Sequence, residues 1–460
     1  MLVTSIDAID LDGTLVELIV EWVGNPEIIG APVSFNQGNH IRAHRERSTA
    51  SAWIAATVDL AMAGQHVDEA RAARAVARLL AEQDALRARM NITDISQDVF
   101  SASQIVVTSA EPRQVTTASL RAELDRRCRP GAVPGVFFGV LGHTLVCAFD
   151  HAHADAFTID LVLRRIAHLY EHPDAPPRVG ASYIERCRAE EALHRSPGAG
   201  YDDAVEVWRT FFDACGGGLP PCPLDLDAGE GDRQHTLVAH LADDAQISAL
   251  GPKTFALTLA ALATVIHEGG GPAQLAALIP VHTRGGSQSP WHHTAGWLVT
   301  NAPVLVPAGD VDAAVRALHQ AVEISEVPLD YVLARCQPTI PGRDLFMISY
   351  IDYRRCGPQL PNARHISATG TTDTAQLWFS RTHRGLDLRV RFPATAVAER
   401  SVNSVVTRLG ELLRSQAAAG APPSFGGTVT ERVHSAPCSA RSFSDAAAGS
   451  ESTGPPSRAL

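Results

Sequence analysis

In the first half of the chain, short apolar runs alternate with segments whose apolar residues recur at helical spacing. Helical periodicity predicts helices within residues 53–61, 73–80 and 158–170. Apolar or β-branched runs bounded by turn residues predict strands at residues 104–108, 135–140 and 143–149. The last two runs are spaced as a hairpin around Leu141-Gly142. Strands and helices are therefore mixed in this half.

The same alternation begins again after residues 216–223, a Gly- and Pro-rich stretch that predicts a linker between two lobes. Strands are predicted at residues 236–239, 276–281, 297–299, 304–306, 345–350 and 386–392. Helices are predicted at residues 253–266, 311–324 and 397–414. From about Gln416 onward, Ala, Gly, Ser and Pro dominate without apolar periodicity, a composition that cannot support a packed core. The predicted organisation is a first lobe, a linker, a second lobe and a disordered tail, at residues 1–215, 216–235, 236–415 and 416–460.

Composition narrows the class of protein. The chain of 460 residues is longer than a single hydrophobic core ordinarily supports, and 45% of the residues are hydrophobic. With 39 basic and 50 acidic residues the net charge is −11, and no basic stripe with interleaved aromatic residues stands out, so nucleic acid is not an expected partner. The N-terminus lacks a basic signal-peptide region, and the longest apolar stretch, residues 255–266, is shorter than the ~20 residues of a transmembrane helix. We expect a cytoplasmic protein without a transmembrane segment, and the inner face of the membrane is one location where it could act.

The eight cysteines include no CxxC pair, which disfavours both a zinc site and a disulfide framework. The most informative segment is instead residues 150–156, where His151 and Asp155 follow a predicted strand and precede a predicted helix. Small residues separate the polar ones, which leaves space for a substrate. An imidazole titrates near neutral pH and is suited to taking a proton from a hydroxyl or an amine. A metal site built from His151, His153 and Asp155 lacks a further ligand at a known spacing.

This segment resembles the HHxxxDG motif of the condensation-domain superfamily of acyltransferases, with Asp150 at the first histidine, His151 at the second and Ala156 at the glycine. Further segments agree with that family in order and spacing. Residues 32–37 resemble its PSxNQ element and residues 82–87 its RHExLR element. Residues 219–225 resemble its LPxPL element and residues 284–299 its R…GxFxN element. Together the similar segments span roughly residues 10–415.

Residues 349–354 resemble the SYxDxR element of the polyketide-associated acyltransferases, which acylate trehalose and related lipids. The resemblance implies an α/β (α+β) fold of two chloramphenicol-acetyltransferase-like lobes that form a V with a central tunnel. A thioester donor would enter this tunnel from one side and the acceptor from the other. Thr300 replaces the family's asparagine and Cys356-Gly357-Pro358 stands at a turn usually written PG. These departures concern the acceptor side.

The resemblance implies transfer of a long-chain or polyketide acyl group from coenzyme A or a carrier-protein thioester to a hydroxyl of a sugar or lipid such as trehalose. His151 is the implied general base. Asp155 and Arg284 are the implied structural pair at the active site, and Asp150 and His153 flank the base. Neither a metal nor a cofactor beyond the thioester donor is expected. The expected partner is a polyketide-synthase carrier domain, and the expected state is a monomer.

Three other functions stay open at this point. One is a peptide-synthetase-type condensation enzyme that forms an amide, and another is a non-catalytic carrier-docking protein. The third is a phosphatase of the haloacid-dehalogenase type, because residues 10–14 match its DxDGT nucleophile loop. That chemistry also needs a lysine and a downstream acidic pair, and Lys253 is the sole lysine of the chain.

Overall fold

The structure is a computed structural model that describes residues 1–47, 52–195, 198–227, 233–340 and 344–419. Within these ranges the strands are β1 (Leu2–Ser5), β2 (Gly13–Trp22), β3 (Ile28–Pro32), β4 (Trp53–Asp59), β5 (Ala88–Asn91), β6 (Ser96–Val99), β7 (Ile105–Ser109), β8 (Arg113–Val115), β9 (Val136–Leu141), β10 (Thr144–Asp150), β11 (Gln234–Asp243), β12 (Gln274–His282), β13 (Val299–Pro307), β14 (Met347–Asp352), β15 (Arg364–Ser367), β16 (Gln376–Thr382) and β17 (Gly385–Pro393). The α-helices are α1 (Phe35–Arg47), α2 (Glu69–Glu82), α3 (Thr117–Arg127), α4 (Ala156–Glu171), α5 (Tyr183–Arg195), α6 (Tyr201–Ala214), α7 (Asp244–Ala249), α8 (Thr254–Glu268), α9 (Val311–Ile324), α10 (Leu329–Cys336) and α11 (Ala396–Ala418).

Two large mixed sheets organise these elements. The first has the strand order β1-β15-β4-β10-β9-β2-β7, with β8 also paired to β2. The second has the order β11-β17-β16-β14-β12-β13, and a small third sheet has the order β3-β6-β5. In the first sheet β10 is central, since it pairs antiparallel with both β4 and β9. The motif at residues 150–156 therefore begins at the end of a strand that is fixed on both edges.

Strand β15 crosses from the second half of the chain into the sheet of the first half. It pairs parallel with β1 and antiparallel with β4, with His365 opposite Val3 and Ala56. Residues 364–367 fall within the segment predicted as the second lobe, yet they complete the first sheet. The predicted division at residues 216–235 otherwise stays a prediction.

The second sheet has two different faces. Alternate side chains on its central strands, among them Ile348, Phe379 and Leu388, are buried in an apolar core with α8, α9 and α11. Many of the residues between them on the same strands are polar and also buried, among them Asp387 and Arg389. Because side chains alternate along a strand, this polar set lies on the opposite face of the sheet. A buried face that is polar requires partners other than a hydrophobic core.

Most predicted elements correspond to observed ones, including the hairpin of β9 and β10 and the helices α2, α4, α8, α9 and α11. The predicted helix within residues 53–61 is wrong, because these residues form strand β4. Residues 53–58 are all buried, with β10 on one edge and β15 on the other. A continuous apolar run of this length does not distinguish a central strand from a helix. The predicted tail begins within α11, which ends at Ala418, and residues 420–460 lie outside the described residues.

Candidate active site

The strand, turn and helix predicted around the histidine motif are present. Strand β10 ends at Asp150, a single 3-10 turn covers His151–His153, and α4 begins directly after Asp155. Asp155 is the N-cap of α4 and accepts a hydrogen bond of 2.7 Å from the backbone N–H of Thr158. Asp, Ser, Thr and Asn are favoured at this position because their oxygens satisfy an N–H group that the helix leaves free. The local sequence therefore determines the turn that presents His151.

His151 stacks against the indole of Trp297, with ring centroids 4.0 Å apart and an angle of 26° between the planes. Its Nδ1 is buried and has no hydrogen-bond partner among the described residues. Burial, followed by the charge of His40, lowers the pKa of His151 to about 4. The imidazole is therefore neutral at neutral pH, in the state that accepts a proton.

Asp150, the residue that departs from the family motif, is fully buried and paired with an imidazole. Its Oδ1 lies 2.5 Å from Nε2 of His40, on α1. Burial by itself would raise the pKa of Asp150, but the charge and hydrogen bond of His40 lower it. The His40 ring also meets the edge of Trp297, at a centroid distance of 5.9 Å. Sequence reasoning missed His40, because nothing in the local pattern of α1 marks it.

His153 turns away from His151 into the protein interior. It is buried, and its Nδ1 lies 2.8 Å from the carbonyl oxygen of Ala85. Its Nε2 lies against Gly135, where an added Cβ would come within 2.8 Å of that nitrogen. Gly135 also has a φ of +75°, a conformation that favours glycine. His153 therefore helps to shape the turn and is confined by its neighbours.

Asp155 and Arg284 lie in direct contact, both fully buried. Nη2 of Arg284 donates to Oδ1 and Oδ2 of Asp155 at 2.7 and 2.8 Å. The second carboxylate oxygen also accepts the backbone N–H of Leu298 at 3.0 Å. Burial opposes ionisation of Asp155, but the charge of Arg284 and the N–H of Thr158 hold its pKa below the usual value. The pair connects the turn at residues 150–156 to two segments of the second half of the chain.

The other segments that resemble the family surround the same turn. Gln37 donates to the carbonyl of Ala152 at 2.8 Å, and Asn36 donates to the carbonyl of Val299 at 2.6 Å. Gln83 accepts the N–H of Ala295 at 2.7 Å. These contacts join residues that are more than 100 positions apart in sequence. The tertiary structure thus brings three of the similar segments to one place.

A small, partly open pocket lies beside Trp297, on the side of Asn36 and Thr300. Arg186 and Glu190 of α5 line another part of it, and the loop before α10 completes it. Burial raises the pKa of Glu190, although the backbone N–H of Phe35 donates to its carboxylate at 3.0 Å. The lining is rich in groups that exchange hydrogen bonds with hydroxyls.

The phosphatase-like segment has a structural role instead. Asp12 accepts hydrogen bonds from the backbone and side chain of Thr117, at 2.6 and 3.0 Å, at the start of α3. Asp10 accepts the N–H of Asp12 at 2.9 Å. Lys253 lies in the second half, 3.7 Å from Asp312. The residues that a phosphatase would use are therefore engaged elsewhere.

Two negative findings concern the described part of the chain. It contains no group of three or more His, Cys, Asp or Glu side chains placed to hold a metal ion. None of its helices combines the length and the apolar composition needed to cross a membrane.

Neither a family model nor a curated protein sequence matches this chain. A solved structure described as PapA2 acyl transferase superimposes with a TM-score of 0.78 at 18% identity, over 91% of this chain and 100% of the other. The condensation domain of the Monacolin K polyketide synthase MokA gives a TM-score of 0.63 at 14% identity, over 87% and 99% of the two chains. This chain has the condensation-domain fold. A mutant starter condensation domain of rhizomide synthetase RzmA, in complex with C8-CoA, gives a TM-score of 0.63 at 13% identity, over 86% and 96%.

The condensation-domain fold confirms the predicted α/β class and the two lobes like chloramphenicol acetyltransferase. It does not by itself assign roles to residues, because fold and function are separable. Besides His40, the sequence analysis missed His365 on β15 and Arg389 on β17. The alternation Leu-Asp-Leu-Arg-Val-Arg at residues 386–391 was the available signal, since it predicts a strand with one polar face.

Proposed function

We propose that this protein transfers an acyl group from a thioester to a hydroxyl of a sugar or lipid acceptor, with His151 as the general base. The observation that carries the proposal is a neutral imidazole at the end of β10, stacked on Trp297 and with its Nδ1 unpartnered among the described residues. The PapA2 acyl transferase and the domain in complex with C8-CoA support the reaction class and a thioester donor.

In this mechanism the acceptor oxygen attacks the thioester carbonyl while His151 takes the hydroxyl proton. The tetrahedral intermediate then breaks its carbon–sulfur bond, and His151 returns the proton to the departing thiolate. The products are an ester and a free thiol, and no acyl-enzyme forms. Proton transfer by a positioned group is worth about 10²- to 10⁴-fold. Most of the remaining acceleration comes from holding both substrates in the correct orientation.

The contacts around His151 support this division of roles. Asp155 and Arg284 bind each other, and the Asp155 carboxylate also accepts the backbone N–H of Leu298, so we assign the pair to holding the turn and not to contacting substrate. His153 is held by Ala85 and Gly135. Asp150 is paired with His40. His151 is thus the one member of the motif whose ring contacts an aromatic wall and has a nitrogen without a partner among the described residues.

The pocket beside Trp297 offers hydrogen-bonding groups to a polyhydroxylated acceptor such as trehalose, among them Asn36, Thr300 and Ser325. The donor is coenzyme A or the phosphopantetheine arm of a polyketide-synthase carrier domain. One chain supplies every residue of the site described above, so we propose that a monomer is active. Cytoplasmic acyl thioesters would give it access to its donor.

Product analysis tests the proposal. The purified protein is incubated with acyl-coenzyme A, trehalose and matched amines, and the products are identified by mass spectrometry. An ester is the expected product, and an amide would replace our proposal with a condensation reaction. His151→Ala should abolish transfer and retain the fold, whereas His172→Ala, which removes an exposed histidine, should behave as wild type. Transfer by His151→Ala at the wild-type rate would refute the role of His151. Absence of any product would favour a carrier-docking protein.

A further inference from the structure

Arg389 is buried without an acidic partner. Its side chain is only 4% exposed, and its polar contact is a hydrogen bond of 2.5 Å from Nη2 to the hydroxyl of Ser367. The guanidinium lies over the ring of Trp378 at 4.6 Å. Its Nε has no hydrogen-bond partner among the described residues, as is also true of Arg284 and Arg381, so the distinguishing feature of Arg389 is the missing carboxylate. Burial and the neighbouring charge of Arg391 lower the pKa of Arg389 to about 9, so it remains charged at neutral pH.

The other buried arginines of the described chain show how this protein normally accommodates such a charge. Each of them contacts a carboxylate: Arg165 pairs with Glu82, Arg284 with Asp155 and Arg381 with Asp244. A buried charge is unfavourable unless a partner compensates for the lost hydration. Arg389 is the exception within this set, which indicates that its counter-charge comes from outside the described chain.

The surroundings of Arg389 form a small cationic and hydrogen-bonding cluster between the two large sheets. Ser367 and His365 are two positions apart on β15, so they lie on one face of the first sheet. Nδ1 of His365 is buried and unpartnered among the described residues. Burial, then the charges of Arg389 and His151, lower the pKa of His365 to about 3. His365 is therefore neutral at neutral pH, with an N–H to donate, and lies within electrostatic range of both Arg389 and His151.

We propose that Arg389, Ser367 and His365 form an oxyanion-binding subsite that takes a carboxylate, sulfate or phosphate group of a substrate. Such a group supplies both the missing negative charge and acceptors for the unpartnered N–H groups. Charge-assisted bonds from a guanidinium to these groups are short and often two-pronged. The assignment to a substrate rests on the proposed function, while anion binding itself does not.

Two sources supply this chemistry. One is an acidic group on the acceptor or on the acyl chain, near the reacting carbonyl. The other is a phosphate of the thioester donor. This phosphate lies at the far end of the pantetheine arm from the reacting sulfur. His365 interacts electrostatically with both Arg389 and His151, and this favours the first source, because an anion bound beside His365 would be near the proposed general base.

Thermal unfolding with sulfate tests the subsite without requiring turnover. At constant ionic strength, sodium sulfate should raise the unfolding temperature of wild type above that in sodium chloride, because a ligand that binds the native state stabilises it. Sulfate also stabilises proteins by exclusion from their surface, so site binding is the part of the response that Arg389→Gln loses. Arg389→Gln should weaken sulfate binding by roughly 10- to 100-fold. The matched control is Arg391→Gln, two positions along the same strand, whose guanidinium is paired with Asp344; it should keep the sulfate response. A wild-type response no larger in sulfate than in chloride, or equal responses of both variants, would overturn the proposal.

If Arg389→Gln does not fold, two milder substitutions, Arg389→Lys and Ser367→Ala, still test the subsite. Arg389→Lys keeps the positive charge but loses the planar guanidinium with its paired N–H donors, so it should retain part of the rise in unfolding temperature with sulfate. Ser367→Ala should reduce that rise less than Arg389→Gln does. Steady-state kinetics then identify which substrate carries the bound anion. One comparison sets coenzyme A thioesters against pantetheine thioesters, which lack the donor phosphates, and the other sets sugar acids against neutral sugars. Arg389→Gln should raise the KM only for the substrate that carries the anion, by roughly 10- to 100-fold. An equal loss with every substrate would show a structural role. If no acyl transfer is found at all, the proposed function fails while the sulfate result still decides the subsite.

Discussion

Arg284 and Arg389 are both buried, but their surroundings differ. Arg284 donates to both carboxylate oxygens of Asp155, to the hydroxyl of Thr158 and to two backbone carbonyls. Arg389 donates to one hydroxyl. A buried ion that is paired with a carboxylate holds structure in place, and removing the carboxylate leaves a charge uncompensated. A buried ion without a carboxylate among the described residues is a place where an anionic ligand can supply the missing charge.

The largest effect that tests this comparison is expected at Asp155. Asp155→Ala leaves Arg284 buried without its carboxylate and should lower the free energy of unfolding by about 3–5 kcal/mol. Urea denaturation followed by circular dichroism measures this loss. Arg209→Ala, which breaks an exposed ion pair with Glu206, is the control and should leave stability unchanged. A loss at Asp155 no greater than the control would show that the buried pair does not hold the turn.

Thr158→Val tests how much one of several partners contributes. The hydroxyl of Thr158 accepts from Arg284 at 2.7 Å and exchanges hydrogen bonds with the backbone of Gly296. We expect a loss of about 1–3 kcal/mol in the free energy of unfolding, because buried groups lose one partner but keep others. A loss as large as that of Asp155→Ala would mean that the hydroxyl, and not the carboxylate, is the main anchor.

Arg389→Met should change the free energy of unfolding in the opposite direction. Methionine of similar length removes an unpaired buried charge, so without ligand the free energy of unfolding should stay equal or rise, by ~0–2 kcal/mol. Arg284→Met, measured under the same conditions, should instead destabilise strongly. If both substitutions destabilise equally, Arg389 is structural and the contrast between the two arginines is wrong.

The smallest expected effect concerns the pH dependence of transfer. His151 must be neutral to accept a proton, and its pKa of about 4 predicts that kcat/KM is retained at mildly acidic pH and falls through about pH 4. Its charged neighbours are His40 on α1 and Asp150 and Asp155 in its own turn. His40→Gln removes a positive charge and leaves Asp150 uncompensated, so the acid limb should move upward by roughly one pH unit. A histidine NMR titration of both proteins checks the assignment, and an unshifted His151 would contradict it.

The histidine turn at residues 150–156 is the part of the candidate site that could be predicted from local sequence. The apolar run of β10, the small residues after it and the capping Asp155 are local features, so strand, turn and helix could be predicted from residues 144–170. The pairing of Asp155 with Arg284 was implied by the family resemblance, and the two groups lie 2.7 Å apart. The predicted helix within residues 53–61 failed because a fully buried strand has no polar face to reveal its period.

The sequence by itself determined the mixed α/β pattern, the position of the histidine turn and the alternation that gives β17 one polar face. These features depend on neighbours within a few residues, where backbone geometry and capping act. Only the tertiary structure decided that β15 joins the first sheet, that His40 partners Asp150 and that Arg389 is buried without a carboxylate. Those outcomes depend on groups that lie far apart in sequence, and whether a charge has a partner is fixed only when the chain packs.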